Sequence, residues 1–429
     1  LAVHWLFGCA KSRSFVIQMK DYESYTLPNG IRVVHKQVSN TKIAHCGFIL
    51  DIGSRDEKPH QQGIAHFWEH MAFKGTEKRK AYHILSRLED YGGELNAYTT
   101  KEKICFHASV LEDQLDKALE LLVDITFFSI FPEKEIQKER TVILEEMSMY
   151  WDDPGEAIHD HFDELLFPDH PLGKNIMGTS VSVNGFGRES FLEFIRQNLH
   201  NERLIFSSVG PLPFKKVKAM AEKHFSHVPN YTALHRRDPF SGYRPKSQLV
   251  DRPITQAHCV MGGPAFGQYD ERRLKFFMLN NLLGGPSMNS RLNLSLREKF
   301  GLVYAVESNY NIYLDTGSFS VYFASDPSML ERCLSLTFKE FDKLKEPMGT
   351  LQLHKAKQQL MGQLAMAEES NLNLMLMIGK SLLDTGTVET IGQVFDQIDA
   401  ITAPELAEVA REVLAADQLS RLVYQPGRP

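Results

Sequence analysis

The sequence predicts an α+β protein of two similar units, each a mainly antiparallel sheet packed with helices. Three observations lead there. The chain has 429 residues, beyond the ~250–300 at which a single hydrophobic core stops growing. Short apolar runs bounded by turn residues read as strands, and they are interspersed with long stretches of helical periodicity. The pattern then restarts after residues 229–248, a Pro-, Arg-, Asn- and Ser-rich stretch with the composition of an interdomain linker.

Taken in order, the turn signal Pro28-Asn29-Gly30 introduces a strand over residues 31–34, and a second strand covers 43–50. A helix bearing His66, Glu69 and His70 follows, closed near Gly75, where glycine suits a C-terminal cap. Residues 80–91 read as another helix, ended by Gly92-Gly93. Residues 95–100 and 104–110 read as strands joined by the charged Lys101-Glu102-Lys103. Helices are expected over 111–128 and 132–151, with Pro132 in the first turn. Beyond the linker, Ile43-Ala44-His45-Cys46 finds an echo in Gln256-Ala257-His258-Cys259, an offset of 213. That offset lays Asn96 over Asn309, Tyr91 over Tyr304, His66 over Leu279 and His70 over Leu283. The second unit therefore keeps the plan with leucines in place of imidazoles, as in a duplication with one site.

Composition narrows the function classes. Apolar residues make up 43% and charged residues 24%, ordinary for a globular protein, and the net charge of −6 carries no nucleic-acid or membrane footprint. Cys9, Cys46, Cys105, Cys259 and Cys333 are odd in number and scattered. They suit buried reduced thiols better than disulfides or a thiolate metal site. No apolar run reaches the ~18 residues that span a bilayer. Residues 1–21 are expected to be an extension whose apolar opening lacks the basic start of a signal peptide. The expected plan is then 22–228 for a domain bearing the His66–His70 helix, 229–248 for the linker and 249–429 for a domain with leucines in place of the imidazoles, in a cytoplasmic setting.

The chemistry concentrates on one helix. His66 and His70 are four residues apart, so their rings project from one face. Neutral imidazoles one turn apart suit Zn²⁺. Glu69 is placed to reach a water polarised by such a metal without ligating the metal itself. H-x-x-E-H is an inverted form of the zinc-protease motif. A catalytic zinc takes a third protein ligand, and the helix over 132–151 offers Glu133, Glu135, Glu139, Glu145 and Glu146. Glu139 and Glu146 are seven apart and share a face. Glu146 would complete a His₂Glu set, and Glu139 could orient a histidine N–H. Glu145 lies roughly 100° around the helix. The bland alternative is a pair of half-buried histidines flanking Phe67 and Trp68; the two glutamates on one face weigh against it. His159 and His161 would not share a metal, and His107, His258 and His354 lack partners at ligand spacing.

His66-x-x-Glu69-His70, followed after 75 intervening residues by Glu146, resembles the signature of the pitrilysin/insulinase metallopeptidases. That family includes mitochondrial processing peptidase and many bacterial zinc proteases. The resemblance runs from about Tyr22 to the C-terminus. It takes in Thr26-Leu27-Pro28-Asn29-Gly30, Phe73-Lys74-Gly75-Thr76 and Gly92-Gly93-Glu94-Leu95-Asn96-Ala97-Tyr98-Thr99. Glu139-Arg140-x-Val142-Ile143-x-x-Glu146 and His170-Pro171-Leu172-Gly173 also belong to it.

The resemblance implies one Zn²⁺ per chain, ligated by His66, His70 and Glu146, with Glu69 as general base and Glu139 as supporting carboxylate. It implies an edge strand at Asn96, Ala97 and Tyr98 to which a substrate backbone adds, which main-chain hydrogen bonding favours. Arg297 and Tyr304 look like the family's pair that holds substrate and steadies the oxyanion. A chain of this length would be half of a clamshell, a homodimer or a heterodimer with a related chain, enclosing unfolded peptides. The implied activity is that of a zinc-dependent endopeptidase. The alternatives are a non-catalytic partner subunit of a heterodimeric processing peptidase, and a zinc hydrolase acting on small amides. Trp68 stands where the family usually has an aliphatic residue, with an expected effect on pocket shape.

Overall fold

The computed structural model describes residues 22–234 and 236–427; the expected extension over 1–21, with Cys9, lies outside them. The first sheet contains β1 (Glu23–Thr26), β2 (Arg32–Gln37), β3 (Ile43–Leu50), β4 (Glu94–Thr99), β5 (Ile104–Leu111) and β6 (Leu204–Gly210). The second contains β7 (Ser247–Arg252), β8 (Ala257–Ala265), β9 (Val303–Ile312), β10 (Gly317–Ser325) and β11 (Ser420–Pro426). Their orders are β1-β2-β6-β3-β5-β4 and β7-β11-β8-β10-β9. In each sheet one pair is parallel, β2 with β6 and β7 with β11, and the others are antiparallel. Apart from the added β1, the second sheet repeats the first strand for strand.

Register refines the repeat. Asn96 pairs with His107 and Asn309 with Ser320, so the edge hairpins keep the offset of 213. One strand inward, Cys46 faces Ala108, whereas Val321 faces Met261. The echo between Cys46 and Cys259 is therefore displaced by two residues in space. A slip of two keeps every side chain on its face of the sheet, so the core pattern survives it.

The helices are α1 (Ile64–Ala72), α2 (Ala81–Glu89), α3 (Leu115–Phe127), α4 (Glu133–Asp152), α5 (Pro154–Leu166), α6 (Ser180–Gly185), α7 (Arg188–Asn198) and α8 (Phe214–Phe225). In the second half come α9 (Arg273–Gly284), α10 (Leu330–Leu344), α11 (Thr350–Glu368), α12 (Asn371–Asp384), α13 (Ile391–Ala400) and α14 (Ala403–Val413). Pro132 is the residue that caps α4 rather than its first turn, and its missing N–H costs nothing there.

Each sheet buries one face against its own helices, forming two large cores around Phe48 and Phe319. The opposite faces are covered by exchange. Helix α5 of the first half packs on β8 and β11, and α12 of the second half packs on β3 and β6. Burial on both sides explains why β3 reads as a nearly continuous apolar run rather than an alternation.

Among its described residues the expected linker contains no helix, its last two residues open β7, and it is not loose. Arg237 donates from Nη1 to Asp51 at 2.8 Å and from Nε to Asp56 at 2.7 Å, both carboxylates of the first half. Cys46, Cys105, Cys259 and Cys333 are buried free thiols, as expected of them.

Candidate metal centre and active site

Helix α1 begins at Gly63, whose φ of +93° and close approach to the Met177 carbonyl leave no room for a side chain. Gly63 cannot cap the helix itself. The buried Glu57 does so from outside, one carboxylate oxygen accepting from the Gly63 N–H and the other from Ala65 N–H, each at 2.9 Å. Burial pushes the Glu57 carboxyl well above its usual range, against these two donors. Nothing in the local spacing signals this cap, because Glu57 lies six residues before Gly63.

Phe67 and Trp68 anchor the helix in the core. Trp68 packs at a tilt against Phe106 and edge-on against Phe194, with ring centroids 6.0 and 6.3 Å away. It is fully buried there, so its effect falls on the core and not on the shape of the pocket as the sequence suggested. The opposite face presents His66 and His70, whose ring centroids are 4.7 Å apart.

Helix α4 crosses this face. His66 Nε2 lies 3.8 Å from one oxygen of Glu146, and His70 Nε2 lies 3.6 Å from the other. One ligand atom from each of the three side chains falls within 4.8 Å of the others. These separations are too long for hydrogen bonds. Ligand atoms ~2.1 Å from one ion at tetrahedral angles stand ~3.4 Å apart, so the spacing fits a shared cation. Burial, reinforced by the neighbouring His70, lowers His66 to about 4, leaving a neutral imidazole with a lone pair to give.

Around these three, His70 Nδ1 lies 3.3 Å from Glu139 Oε2, and Lys74 Nζ binds the other oxygen of Glu139 at 2.6 Å. Burial opposes ionisation of Glu139, but the bonds from His70 and Lys74 hold it below the usual carboxylate range. Glu69 projects beside the pair, its Oε2 accepting from the Thr99 hydroxyl at 2.6 Å. Burial pushes Glu69 up, with the Thr99 bond pulling the other way. Glu145 makes no bond to this group and is exposed, as its angular position predicts. Lys74, Thr99 and Glu57 were not legible as site residues, since each meets the centre through tertiary contact alone.

Strand β4 forms the outer edge of the first sheet, with Asn96, Ala97 and Tyr98 along it. The Asn96 Oδ1 accepts from the Ala97 N–H at 2.8 Å, occupying one donor that an added strand would use. The Tyr98 ring turns inward beneath Lys380 of α12, whose Nζ stands 4.8 Å from its centroid. Arg297 lies on a π-helical segment, Asn293–Lys299, with its guanidinium 5.7 Å from the Tyr304 ring centroid. Tyr304 is 85% exposed rather than a core tyrosine. Among the described residues, neither forms a bond or ion pair with His66, Glu69, His70 or Glu146 of its own chain. His159 and His161 face separate partners, Glu307 and Tyr424, and do not form a second cluster.

Comparison with known proteins agrees with both halves. Residues 32–180 match the family model described as Insulinase (Peptidase family M16), and residues 185–360 match Peptidase M16 inactive domain. An uncharacterized zinc protease of Streptomyces coelicolor is 34% identical, over 91% of this chain and 86% of its own. The uncharacterized zinc protease YmxG of Bacillus subtilis is 31% identical, over 94% and 98%. Among solved structures, a peptidase M16 inactive domain protein from Pseudomonas fluorescens superposes with a TM-score of 0.88 at 19% identity, covering 95% of this chain and 99% of that one. A protease from Helicobacter pylori gives 0.85 at 22% identity, covering 94% and 99%.

Proposed function

The chain belongs to the insulinase family of peptidases, M16, and from that premise we propose that it is a zinc-dependent endopeptidase acting on unfolded peptides. The observation that carries the reading is the convergence of His66, His70 and Glu146 at separations that suit a shared cation better than hydrogen bonds. These residues would hold one Zn²⁺ through the two imidazole Nε2 atoms and the carboxylate. Bound there, zinc would supply Lewis acidity, which brings a water's pKa down towards ~7.

The remaining roles fall to the protein's own groups. Glu69 takes a proton from the attacking water and returns it to the leaving amine. Its upward shift makes it a better base than an ordinary exposed carboxylate. Glu139 accepts the His70 Nδ1–H, which turns the lone pair of Nε2 towards the metal position. Substrate backbone adds along β4 once the Asn96 side chain gives up the Ala97 N–H.

Tyr304 is 85% exposed with Arg297 beside it, placed to face a second chain carrying the same or a related pair that would complete the active chamber. Among the described residues no helix is long and apolar enough to cross a membrane, and the relatives named above are bacterial. A bacterial, cytoplasmic dimer is the setting we favour. A purely non-catalytic subunit has no observation in its favour, since the four residues of the chemistry stand together on one chain.

The test is cleavage of an internally quenched peptide library, with zinc measured in the same preparations. Glu69→Gln should keep its zinc and lose ~10²–10⁴-fold in rate. A Glu69→Gln protein that cleaves like wild type would remove the proposed mechanism.

A further inference from the structure

We propose that Thr99 is a positioning residue that holds the Glu69 carboxylate in its working orientation. The inference rests on the reading of Glu69 as the base. Thr99 is the last residue of β4, and its hydroxyl donates to Glu69 Oε2 at 2.6 Å. That is a short, charge-assisted bond. The other carboxylate oxygen has no hydrogen-bond partner among the described residues, so Thr99 restrains one oxygen and leaves its twin free for a proton. A long side chain on a short helix is otherwise free to rotate, and a misplaced base is a slow one.

What makes Thr99 a firm support is the turn behind it. Lys101, Glu102 and Lys103 form the charged turn between β4 and β5, yet all three are buried. Charged residues are almost never buried unless paired, and each of these has partners on a different element. Lys101 Nζ sits 3.9 Å from Asp163 of α5. Lys103 bridges Asp51, at 3.0 Å, and Asp384 of α12, at 2.8 Å. Glu102 accepts from Arg55 at 2.7 Å and from the Leu314 N–H of the second half at 3.1 Å. The turn is closed from within, the Thr100 N–H donating to the Lys103 carbonyl at 2.7 Å. Gly53 lies so close that a Cβ there would stand 2.4 Å from the Lys101 carbonyl oxygen. The hydroxyl that meets Glu69 is thus fixed by groups from both halves of the chain. Through it, the second half has a hold on the chemistry.

The experiment compares Thr99→Val and Thr99→Ser in the full chain, with kcat and KM on a quenched peptide, zinc content and thermal melting. Valine keeps the shape and removes the donor. It should lower kcat ~10-fold or more while KM stays within about twofold and zinc content is unchanged. Serine restores the hydroxyl and should recover kcat to within about threefold of wild type. In a Glu69→Gln background, Thr99→Val should change the residual rate by less than about twofold, since the two act as one unit. A valine variant with wild-type kcat, a serine variant as slow as valine, or loss of zinc from the valine variant would each overturn the positioning role. Full activity of Glu69→Gln would instead remove the reading beneath it. An inactive Glu69→Gln beside a fully active Thr99→Val would overturn this inference alone. Should the valine variant fail to fold, the serine variant and Thr99→Ala decide by the same criteria.

Discussion

The two halves of this chain share a sheet order, one parallel pair each and a helix lent to the partner's sheet, yet they differ in what their first major helix presents. In α1 the face towards α4 carries His66 and His70. At the offset of 213, α9 carries Leu279 and Leu283, both about 1% exposed. Where the first half keeps polar atoms apart at 3.6–3.8 Å, the second closes its helix into the core. The architecture therefore carries no chemistry of its own; two imidazoles and a carboxylate at one helix crossing make the difference. The second half is still not a passive copy. It covers the first sheet with α12 and reaches the turn next to Thr99 through Leu314.

Exchanging the differing residues is the strongest way to break this comparison. His66→Leu together with His70→Leu gives α1 the residues of α9 at the offset positions. The protein should fold, hold no zinc above background and lose cleavage by ~10⁴-fold or more, as read by metal analysis and peptide turnover. Retained activity would show that the two helices differ in some other essential way. A second test asks whether the halves are fastened by the linker. Arg237→Met removes the partner shared by the buried Asp56 and the half-buried Asp51. It should cost about 3–5 kcal/mol in denaturant unfolding. A loss below ~1 kcal/mol would make the linker a simple tether.

The smallest effect probes the exchanged helix α5. Burial pushes Asp163 up to about 7, with Lys101 pulling it back. A carboxyl whose folded pKa lies above its unfolded value of ~3.9 favours the fold only while protonated. Its contribution is complete below pH ~4 and lost as pH rises through ~7. Relative to wild type, Asp163→Asn should therefore gain stability between pH 5 and pH 8, on the order of 2–3 kcal/mol. A constant difference across that range would mean that the Asp163 carboxyl on α5 is not desolvated by its surroundings.

Much of this was legible from the residues. The four-residue spacing of His66 and His70, and the seven-residue spacing of Glu139 and Glu146, fix which side chains share a face whatever the helix packs on. The structure brings those faces together. The alternation and turn signals of 94–111 likewise located the edge hairpin. Other features were not legible, for stated reasons. Trp68 could not be told from a pocket residue, because only the packing of α1 on Phe106 and Phe194 decides which way it points. The burial of Lys101-Glu102-Lys103 could not be read from the sequence, because the partners that permit it lie about 50 to 280 positions away.

The sequence by itself determined that His66 and His70 share one helix face and Glu139 and Glu146 another, that Glu69 stands beside the histidines, and that a second, leucine-bearing copy follows. These are local properties, set by helical and strand periodicity over a few turns. Only the tertiary structure decided how firmly that site is held. The Glu57 cap, the Thr99 hydroxyl and the buried ionic turn each join groups distant in the chain. Their energies arise from desolvated charges finding partners across packed elements, which no local pattern of residues encodes.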